Sequence, residues 1–390
     1  MFIEQGISKD NPFWKYIVGS LIIIMAAFIG QLPLLFVVLA KAIDGGGIPS
    51  TNEEMLQYLE PNLSLFLIMI SFVFAIGGVY LAVKYLHKQT FLSVTTSRPK
   101  VDWNRILFSF SIWAIFTVIT TFAYVYYEPE SFVWNFKPTQ FAILCVIAVM
   151  LIPFQTSTEE YIFRGYLMQG FGNASLQKKF PIGLFYSMIF VPIYMAFELI
   201  FDNQFSSNTS SATLTSIVLF SLSILVLLII DLILRNLNFF ETSFYNKLYD
   251  RSQNKIVPLL ITSVIFGGMH IANPEVSKLG YIIMVYYIGT GLFLGIITLM
   301  DDGMELALGF HAANNLVSAL LISSDWSALQ THSLYKDVSD PSAGLDVLLP
   351  IFIIFPIMLL IFSKKYKWTD WKEKLTGKIS TNSITYTYHD

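Results

Sequence analysis

The fold is decided by residues 140–170, which read QFAILCVIAVMLIPFQTSTEEYIFRGYLMQG. The segment is apolar for most of its length, and a helix of about 20 such residues crosses the hydrocarbon core of a bilayer. It also carries Glu159, Glu160 and Arg164. Ionisable side chains at membrane depth are costly, so they usually face the protein interior and mark a functional site. The segment therefore predicts a transmembrane helix with a polar site on its inner face.

The composition extends this interpretation to the whole chain. Of the 390 residues, 55% are hydrophobic and only 13% are charged, and the mean hydropathy is +0.61. Soluble domains carry about 25% charged residues, so we predict a polytopic membrane protein of the all-α class. About ten runs are apolar and long enough to span a bilayer. They lie near residues 16–40, 62–86, 106–126, 140–170, 181–201, 213–235, 256–272, 279–299, 304–323 and 345–363.

The charges between these runs indicate the topology. Basic residues cluster in 84–105, in 235–255 and in the tail 364–390, whereas 41–61 and 127–136 are acidic. Basic loops favour the cytoplasm, and alternating the spans places all three basic stretches and both termini on that side. The first apolar run does not have the form of a cleaved signal. We therefore expect an integral protein of a bacterial inner (plasma) membrane.

Several classes of partner are excluded by the composition. The net charge is −3, and no basic groove or base-stacking module is present, which argues against nucleic acid. The single Cys145 cannot form an intramolecular disulfide or a cysteine metal cluster. The expected partners are the lipid bilayer and a peptide or membrane-tethered protein substrate.

The charged cluster of the fourth run divides into a pair and a single carboxylate. Glu160 and Arg164 are four residues apart and share a helix face, which predicts a structural ion pair. Glu159 points about 100° away from Glu160 and has no basic residue at that spacing, so we expect it to face a cavity as a base. Ser157 and Glu160 also fit a capping box, so a purely structural charge network at a helix start stays open as an alternative.

Two further polar clusters lie in later apolar runs. His270 follows a pair of glycines, which would let another backbone approach it. His311 and Asn315 share a helix face at four-residue spacing, and Asn314 borders the same face and could take the role of Asn315. Packing explains each cluster taken alone. Taken together, the clusters supply a carboxylate, two imidazoles and an amide. These are groups that activate water and hold an oxyanion.

In combination the three clusters resemble the CPBP family of intramembrane endopeptidases, which includes the type II CAAX prenyl proteases and bacterial Abi-type immunity or processing proteins. The family pattern is Glu-Glu-x-x-x-Arg, then Phe-x-x-x-His, then His-x-x-x-Asn/Asp, on separate transmembrane helices. The chain has all three elements in this order, as Glu159-Glu160…Arg164, Phe266…His270 and His311…Asn315.

The resemblance implies an eight-helix core with a catalytic cavity inside the membrane. Glu159 with His270 would activate water, and His311 with Asn315 would stabilise the tetrahedral oxyanion. The implied reaction is hydrolysis of a peptide bond in a membrane-associated or prenyl-type peptide. In a metal version, Glu159, His270 and His311 would bind a zinc ion. The His-Glu-x-x-His zinc motif is absent from the chain, and we favour the glutamate form without a cofactor.

The resemblance covers roughly 140–323 and departs from the family in one respect. Two additional apolar runs lie between the first and second motifs, which predicts an inserted helical hairpin at about 178–255. The predicted organisation is N-terminal transmembrane helices in 1–136, a catalytic core in 137–323, a loop and last transmembrane helix in 324–363, and a basic cytoplasmic tail in 364–390.

Two other functions stay open on the sequence alone. Buried Glu and His residues relay protons in secondary transporters, although the chain shows no inverted repeat of the kind such transporters have. A non-catalytic bacteriocin-immunity or scaffold protein with a relict site also fits the motifs.

Overall fold

The structure is a computed structural model, and it describes residues 1–8, 10–49, 52–205 and 209–380. Its helices are α1 Phe13–Lys41, α2 Asn52–Tyr58, α3 Pro61–Leu81, α4 Phe91–Thr95, α5 Trp103–Tyr127, α6 Pro138–Glu160, α7 Met168–Ser175, α8 Phe180–Phe205, α9 Thr209–Asn236, α10 Ser243–Ser252, α11 Ile256–Gly268, α12 Pro274–Leu279, α13 Ile283–Asp301, α14 Glu305–Leu321, α15 Leu345–Leu349, α16 Phe355–Tyr366 and α17 Trp371–Thr376.

Shorter elements join these helices. Turns of π-helix lie at Ala42–Gly46, Ala82–Leu86, Tyr161–Leu167 and Pro350–Ile354, and 3-10 turns lie at Ile3–Gly6, Pro129–Ser131 and Phe239–Glu241. Three short strands, β1 Phe132–Trp134, β2 Ile322–Ser324 and β3 Tyr335–Asp337, form a sheet in the order β1-β3-β2. β1 runs antiparallel to β3, and β2 runs parallel to it.

The all-α prediction is confirmed, since each of the predicted apolar runs lies on a helix. Within the described ranges, 8 helices are long and apolar enough to cross a membrane by length and composition. The two remaining runs are α11, with 13 residues, and α14, with 17 residues. α11 ends earlier than the predicted 256–272 because two glycines and the nearby Pro274 disfavour helix, and turns follow from Met269.

α14 lies at the centre of the bundle and brings the predicted site helices together. It packs against α5 and α6, while α6 packs on α3 and α3 packs on α1. α13 packs against α14 and α11, and α11 also contacts the π-helical turn that follows α6. Trp113, Phe310 and Phe355 pack in tilted and edge-to-face contacts in the buried core between α5, α14 and α16. Burial of such rings removes about 150–250 Å² each from solvent or lipid and fixes the helix positions.

The described parts of both termini pack at one end of the bundle, which we call the termini end. Ile3 and Ile379 share one buried cluster there. The guanidinium of Arg98 lies 3.0 Å from Asp301 Oδ2 and 3.0 Å from Glu305 Oε2. Arg98 belongs to the basic stretch 84–105. Part of the positive charge of this stretch is therefore paired with buried carboxylates rather than exposed to water.

The predicted tail closes over this end, up to residue 380. Trp368 is only 9% exposed and donates from Nε1 to Asp301 Oδ1 at 3.0 Å. Lys374 Nζ lies 2.7 Å from Asp302 Oδ2. Residues 381–390 of the tail lie outside the described residues.

A buried histidine links the first, second and fourth spans near the termini end. The ring nitrogens of His87 lie 2.8 Å from the Tyr166 hydroxyl and 3.2 Å from Asn11 Oδ1. Burial, and after it the charge of Lys15, lowers the pKa of His87 to about 4. The ring is therefore neutral at neutral pH and serves as a hydrogen-bonding partner.

The hairpin α8–α9 stands apart from the rest of the bundle. Its two helices pack on each other, and α8 meets α7 and α10. Asp231 and Arg235, which lie four residues apart on α9, form an ion pair at 2.6 Å. Large apolar side chains such as Met188 and Leu232 are exposed, at 76% and 60%, as expected of helices that face lipid. That the hairpin is an insertion into a family core stays a prediction.

Gly309 sets how closely α5 and α14 approach. A Cβ atom at this position would overlap the carbonyl oxygen of Ile106. We expect Gly309→Ala to separate the two helices and to lower the free energy of unfolding by about 1–3 kcal/mol. Thermal unfolding of the detergent-solubilised protein measures the effect.

The matched control for this variant is Gly77→Ala in α3. A Cβ atom on Gly77 has open space around it, and alanine favours helix over glycine. Equal melting temperatures for the two variants would contradict the close approach of α5 and α14.

Candidate functional site

The site begins where α6 ends. Glu159 and Glu160 are the last two residues of α6, and Arg164 lies in the π-helical turn Tyr161–Leu167 that follows. Turns of π-helix inside long helices occur frequently at functional sites. Because α6 starts at Pro138, Ser157 and Glu160 do not cap a helix start, and the capping-box alternative is wrong.

Glu160 and Arg164 form a buried ion pair, at the spacing that the sequence predicted. Arg164 Nη1 lies 3.2 Å from Glu160 Oε1, and the side chains are 1% and 0% exposed. Arg164 Nη2 also donates to the carbonyl oxygen of Gly291 at 3.2 Å, and its guanidinium lies 4.2 Å from the ring centroid of Phe266. An isolated charge in this environment would be very unfavourable, so each member of the pair depends on the other.

Glu160 also holds His311, a role that the sequence did not predict. Its Oε1 lies 2.7 Å from His311 Nδ1. A carboxylate only accepts hydrogen bonds, so Nδ1 carries the proton and donates to Glu160. This contact fixes the ring of His311, which is 6% exposed, and turns Nε2 toward Glu159. The Nε2 atom lies 3.6 Å from Glu159 Oε2, too far for a direct hydrogen bond.

An amide on α6 and an amide on α14 complete this cluster. Asn315 Nδ2 donates to Gln155 Oε1 at 3.0 Å, and Gln155 Nε2 donates to Glu159 Oε1. Asn314, which the sequence left open as a substitute for Asn315, accepts from Trp113 Nε1 at 3.1 Å and donates to Asn315 Oδ1. Asn315 therefore borders the carboxylate side of the cluster, and Asn314 faces α5.

Sequence analysis missed Gln155 and Trp113. Gln155 lies four residues before Glu159 and so shares its helix face; that spacing was the available signal. For Trp113 no signal existed, because its contact with Asn314 joins positions far apart in the chain.

His270 lies at the edge of this cluster. It follows the C-terminal end of α11, and its Nδ1 lies 2.8 Å from the carbonyl oxygen of Phe266. Its ring stacks on Tyr287 with centroids 4.4 Å apart. The ring of Phe266 contacts both imidazoles, with centroids 5.0 Å from His270 and 6.1 Å from His311. The contacts of the described side chains thus include no hydrogen bond between His270 and Glu159 or His311.

The donors named for zinc do not fit a metal site in this arrangement. Within the described ranges, no three His, Cys, Asp or Glu side chains are grouped so that they could hold a metal ion. Of the predicted ligands Glu159, His270 and His311, only the first and last face each other. The chemical steps below therefore use no metal.

The fold and the site define a class: an integral membrane protein with a buried cluster of carboxylate, imidazole and amide groups. Residues 217–317 match the family model of the type II CAAX prenyl endopeptidases, Rce1-like. The match agrees with the resemblance to the CPBP family at the second and third motifs, and the first motif, Glu159-Glu160…Arg164, lies outside the matched residues. The match includes His270, His311 and Asn315, begins inside α9, and ends before α15.

One curated relative extends the similarity along the chain. The chain is 24% identical over 320 residues to the uncharacterized protein YyaK of Bacillus subtilis (strain 168), which covers 82% of this chain and 81% of that protein. No solved structure matches the chain significantly.

The buried ion pair generates a prediction for stability. Arg164→Ala leaves Glu160 charged and without its cationic partner, and we expect a loss of about 3–5 kcal/mol of unfolding free energy. Melting of the purified protein in detergent measures the loss. The control is Arg235→Ala, whose pair with Asp231 has the same spacing but an arginine side chain that is 47% exposed.

For that exposed pair we expect a loss of about 1 kcal/mol or less. Similar melting temperatures for the two variants would contradict a buried pair at Arg164.

Proposed function

We propose that the protein is an intramembrane endopeptidase in which Glu159 activates water against a peptide bond. The observation that carries the proposal is the approach of Glu159 Oε2 and His311 Nε2 to 3.6 Å inside a buried cluster. Two such atoms are too far apart to bond directly, yet close enough for both to contact one water molecule. The family match supports the class of reaction.

The charges of the cluster favour proton transfer at this point. The cluster contains the two carboxylates of Glu159 and Glu160 and the single guanidinium of Arg164. Glu160 is fully buried and engaged with Arg164 and His311, whereas the Glu159 side chain keeps 17% of its surface exposed. Glu159 is therefore the carboxylate that water and substrate reach, and it acts as the general base.

The proton and bond changes then follow in two steps. Water attacks the carbonyl carbon while Glu159 takes its proton, which gives a tetrahedral intermediate with a negative oxygen. The intermediate collapses, the C–N bond breaks, and Glu159 returns the proton to the leaving nitrogen. Glu159 ends in its initial state, as a catalyst must.

Two side chains on α14 supply donors for the negative oxygen. Asn315 Nδ2 carries two hydrogens and uses one for Gln155, which leaves the other for the oxyanion. His311 Nε2, which lies 3.6 Å from Glu159 Oε2, is the second donor when the ring carries a proton on both nitrogens. Fixed donors at an oxyanion often account for a large share of catalysis.

His270 supports the same reaction from the edge of the cluster. The Phe266 carbonyl oxygen only accepts, so Nδ1 carries the proton and Nε2 is left with its lone pair. A partly exposed imidazole in this form accepts a hydrogen bond from water or from an arriving substrate. We propose that His270 orients the water together with Glu159 once substrate is bound, since catalytic contacts often tighten only in the complex.

We propose as substrate a peptide or a membrane-tethered protein that is cut within or close to the bilayer, of the prenyl type that the family model names. The proposed location is a bacterial inner membrane with both termini in the cytoplasm. The basic stretches lie toward the termini end, where Arg98 and Lys374 form their ion pairs, and the positive-inside rule favours the cytoplasm for that end.

The central prediction concerns Glu159. The substitution Glu159→Gln keeps the shape of the side chain and removes the base, so we expect cleavage to fall at least about 100-fold while the protein still accumulates in the membrane. A peptide library that includes prenylated CaaX peptides, incubated with the protein in liposomes and analysed by mass spectrometry, measures cleavage.

Glu198→Gln in the exposed hairpin helix α8 serves as the matched control and should cleave like the unmodified protein. Full cleavage by Glu159→Gln would contradict the assigned base. A physiological activity that persists without any cleavage would instead favour a transporter or an immunity protein.

The metal-independent form has its own test. We expect purified, active protein to contain far less than one zinc ion per chain, and cleavage to survive dialysis against a chelator. Elemental analysis and cleavage of the same sample measure both. Stoichiometric zinc that is lost together with activity would establish the metal form instead.

A further inference from the structure

We infer that Trp113 and Gln155 are positioning residues of the site, joined to it by one directed chain of hydrogen bonds; the inference rests on the proposed function. Trp113 Nε1 donates to Asn314 Oδ1 at 3.1 Å, and Asn314 Nδ2 donates to Asn315 Oδ1 at 3.0 Å. Asn315 Nδ2 donates to Gln155 Oε1 at 3.0 Å, and Gln155 Nε2 donates to Glu159 Oε1.

The two ends of this chain fix its direction. An indole nitrogen only donates, and an ionised carboxylate only accepts. Each of the three amides between them accepts at its oxygen and donates at its nitrogen. Turning any one amide over would place two donors, or two acceptors, against each other. Trp113 and Glu159 together therefore determine which way Asn314, Asn315 and Gln155 point.

The direction assigns a task to each atom of the proposed site. It turns Nδ2 of Asn315 toward α6, and the second hydrogen on Nδ2 is then available to the oxyanion. The opposite orientation would present Asn315 Oδ1, which would repel the oxyanion. It also engages Glu159 Oε1 with Gln155, which leaves Oε2 as the oxygen that lies 3.6 Å from His311 Nε2. An inverted Asn315 would present an acceptor where a donor is required.

The surroundings make the chain effective. Trp113 and Gln155 are each 6% exposed, so water competes little for their hydrogen bonds. Hydrogen bonds in a chain polarise one another, and a buried amide that loses its partner is costly. Three helices contribute, α5 through Trp113, α14 through the two asparagines and α6 through Gln155 and Glu159. The chain thus couples the orientation of the site to the packing of α5.

Trp368 provides a matched control for the loss of an indole. It is 9% exposed and belongs to the same buried cluster as Trp113. Its Nε1 donates to Asp301 Oδ1 at 3.0 Å at the termini end, outside the chain. Trp368→Phe and Trp113→Phe both replace a buried indole by a smaller phenyl ring and remove its N–H group, but only Trp113→Phe removes the first donor of the chain.

The experiment measures kcat and KM for the peptide that the unmodified protein cleaves best in liposomes. We expect Trp113→Phe and Gln155→Met each to lower kcat about tenfold, as for one lost hydrogen bond, with KM changed less than about twofold. Because both substitutions interrupt one chain, the double variant should lie close to Gln155→Met alone rather than about 100-fold below the unmodified protein. Trp368→Phe should keep kcat.

Each other outcome overturns the inference. An unchanged kcat in Trp113→Phe, or multiplied losses in the double variant, would show that the two residues do not act through one chain. An equal loss of kcat in Trp368→Phe would assign the effect to packing. Failure of the proposed function itself is distinguishable, because the unmodified protein would then cleave no peptide, or Glu159→Gln would cleave as fast as the unmodified protein.

Discussion

The carboxylate of Glu160 is the group on which the site depends. One of its oxygens accepts from both Arg164 and His311, at 3.2 and 2.7 Å, with none of the side chain exposed. A charge in such a place is tolerated only with partners of fixed geometry. It therefore holds two helices in register, because α14 cannot slide along α6 without separating His311 from this oxygen. The adjacent Glu159 is thereby held at a defined position relative to His311, and it is the carboxylate that we propose as the general base.

Two neighbouring glutamates thus take different roles because of their surroundings. Glu160 is fully buried and held by Arg164 and His311, while Glu159 accepts from the amide of Gln155 and keeps some exposed surface. Identical side chains in different environments commonly divide the structural and the acid–base work. The same division appears between the two asparagines of α14: Asn314 is engaged with α5, and Asn315 faces the carboxylate side.

Much of this arrangement could be predicted from the sequence, where the cause was local. Hydropathy predicted the helical segments, and four-residue spacing predicted the Glu160–Arg164 pair. The contact between Glu160 and His311, and the link from Trp113 to Asn314, depend on how α5, α6 and α14 pack. No spacing encodes that packing. The early end of α11 was also missed, although Gly267, Gly268 and Pro274 are visible in the sequence, because the apolar run continues past them.

The π-helical turn after Glu160 has a consequence for the whole fourth span. A π turn holds one residue more than an α turn of the same rise, so the side chains after Leu167 point about 100° away from where a uniform α-helix of the same sequence would place them. The first part faces α3 and α14, while the later residues Gln169 and Asn173 donate to the backbone carbonyl oxygens of Phe2 and Asn11. Uniform α-helix over the same residues would turn these later side chains by about 100° away from their partners, whereas deleting one residue between 161 and 167 along with the π turn would leave them in place. The π turn therefore allows both halves of the fourth span to keep their own neighbours at the same time.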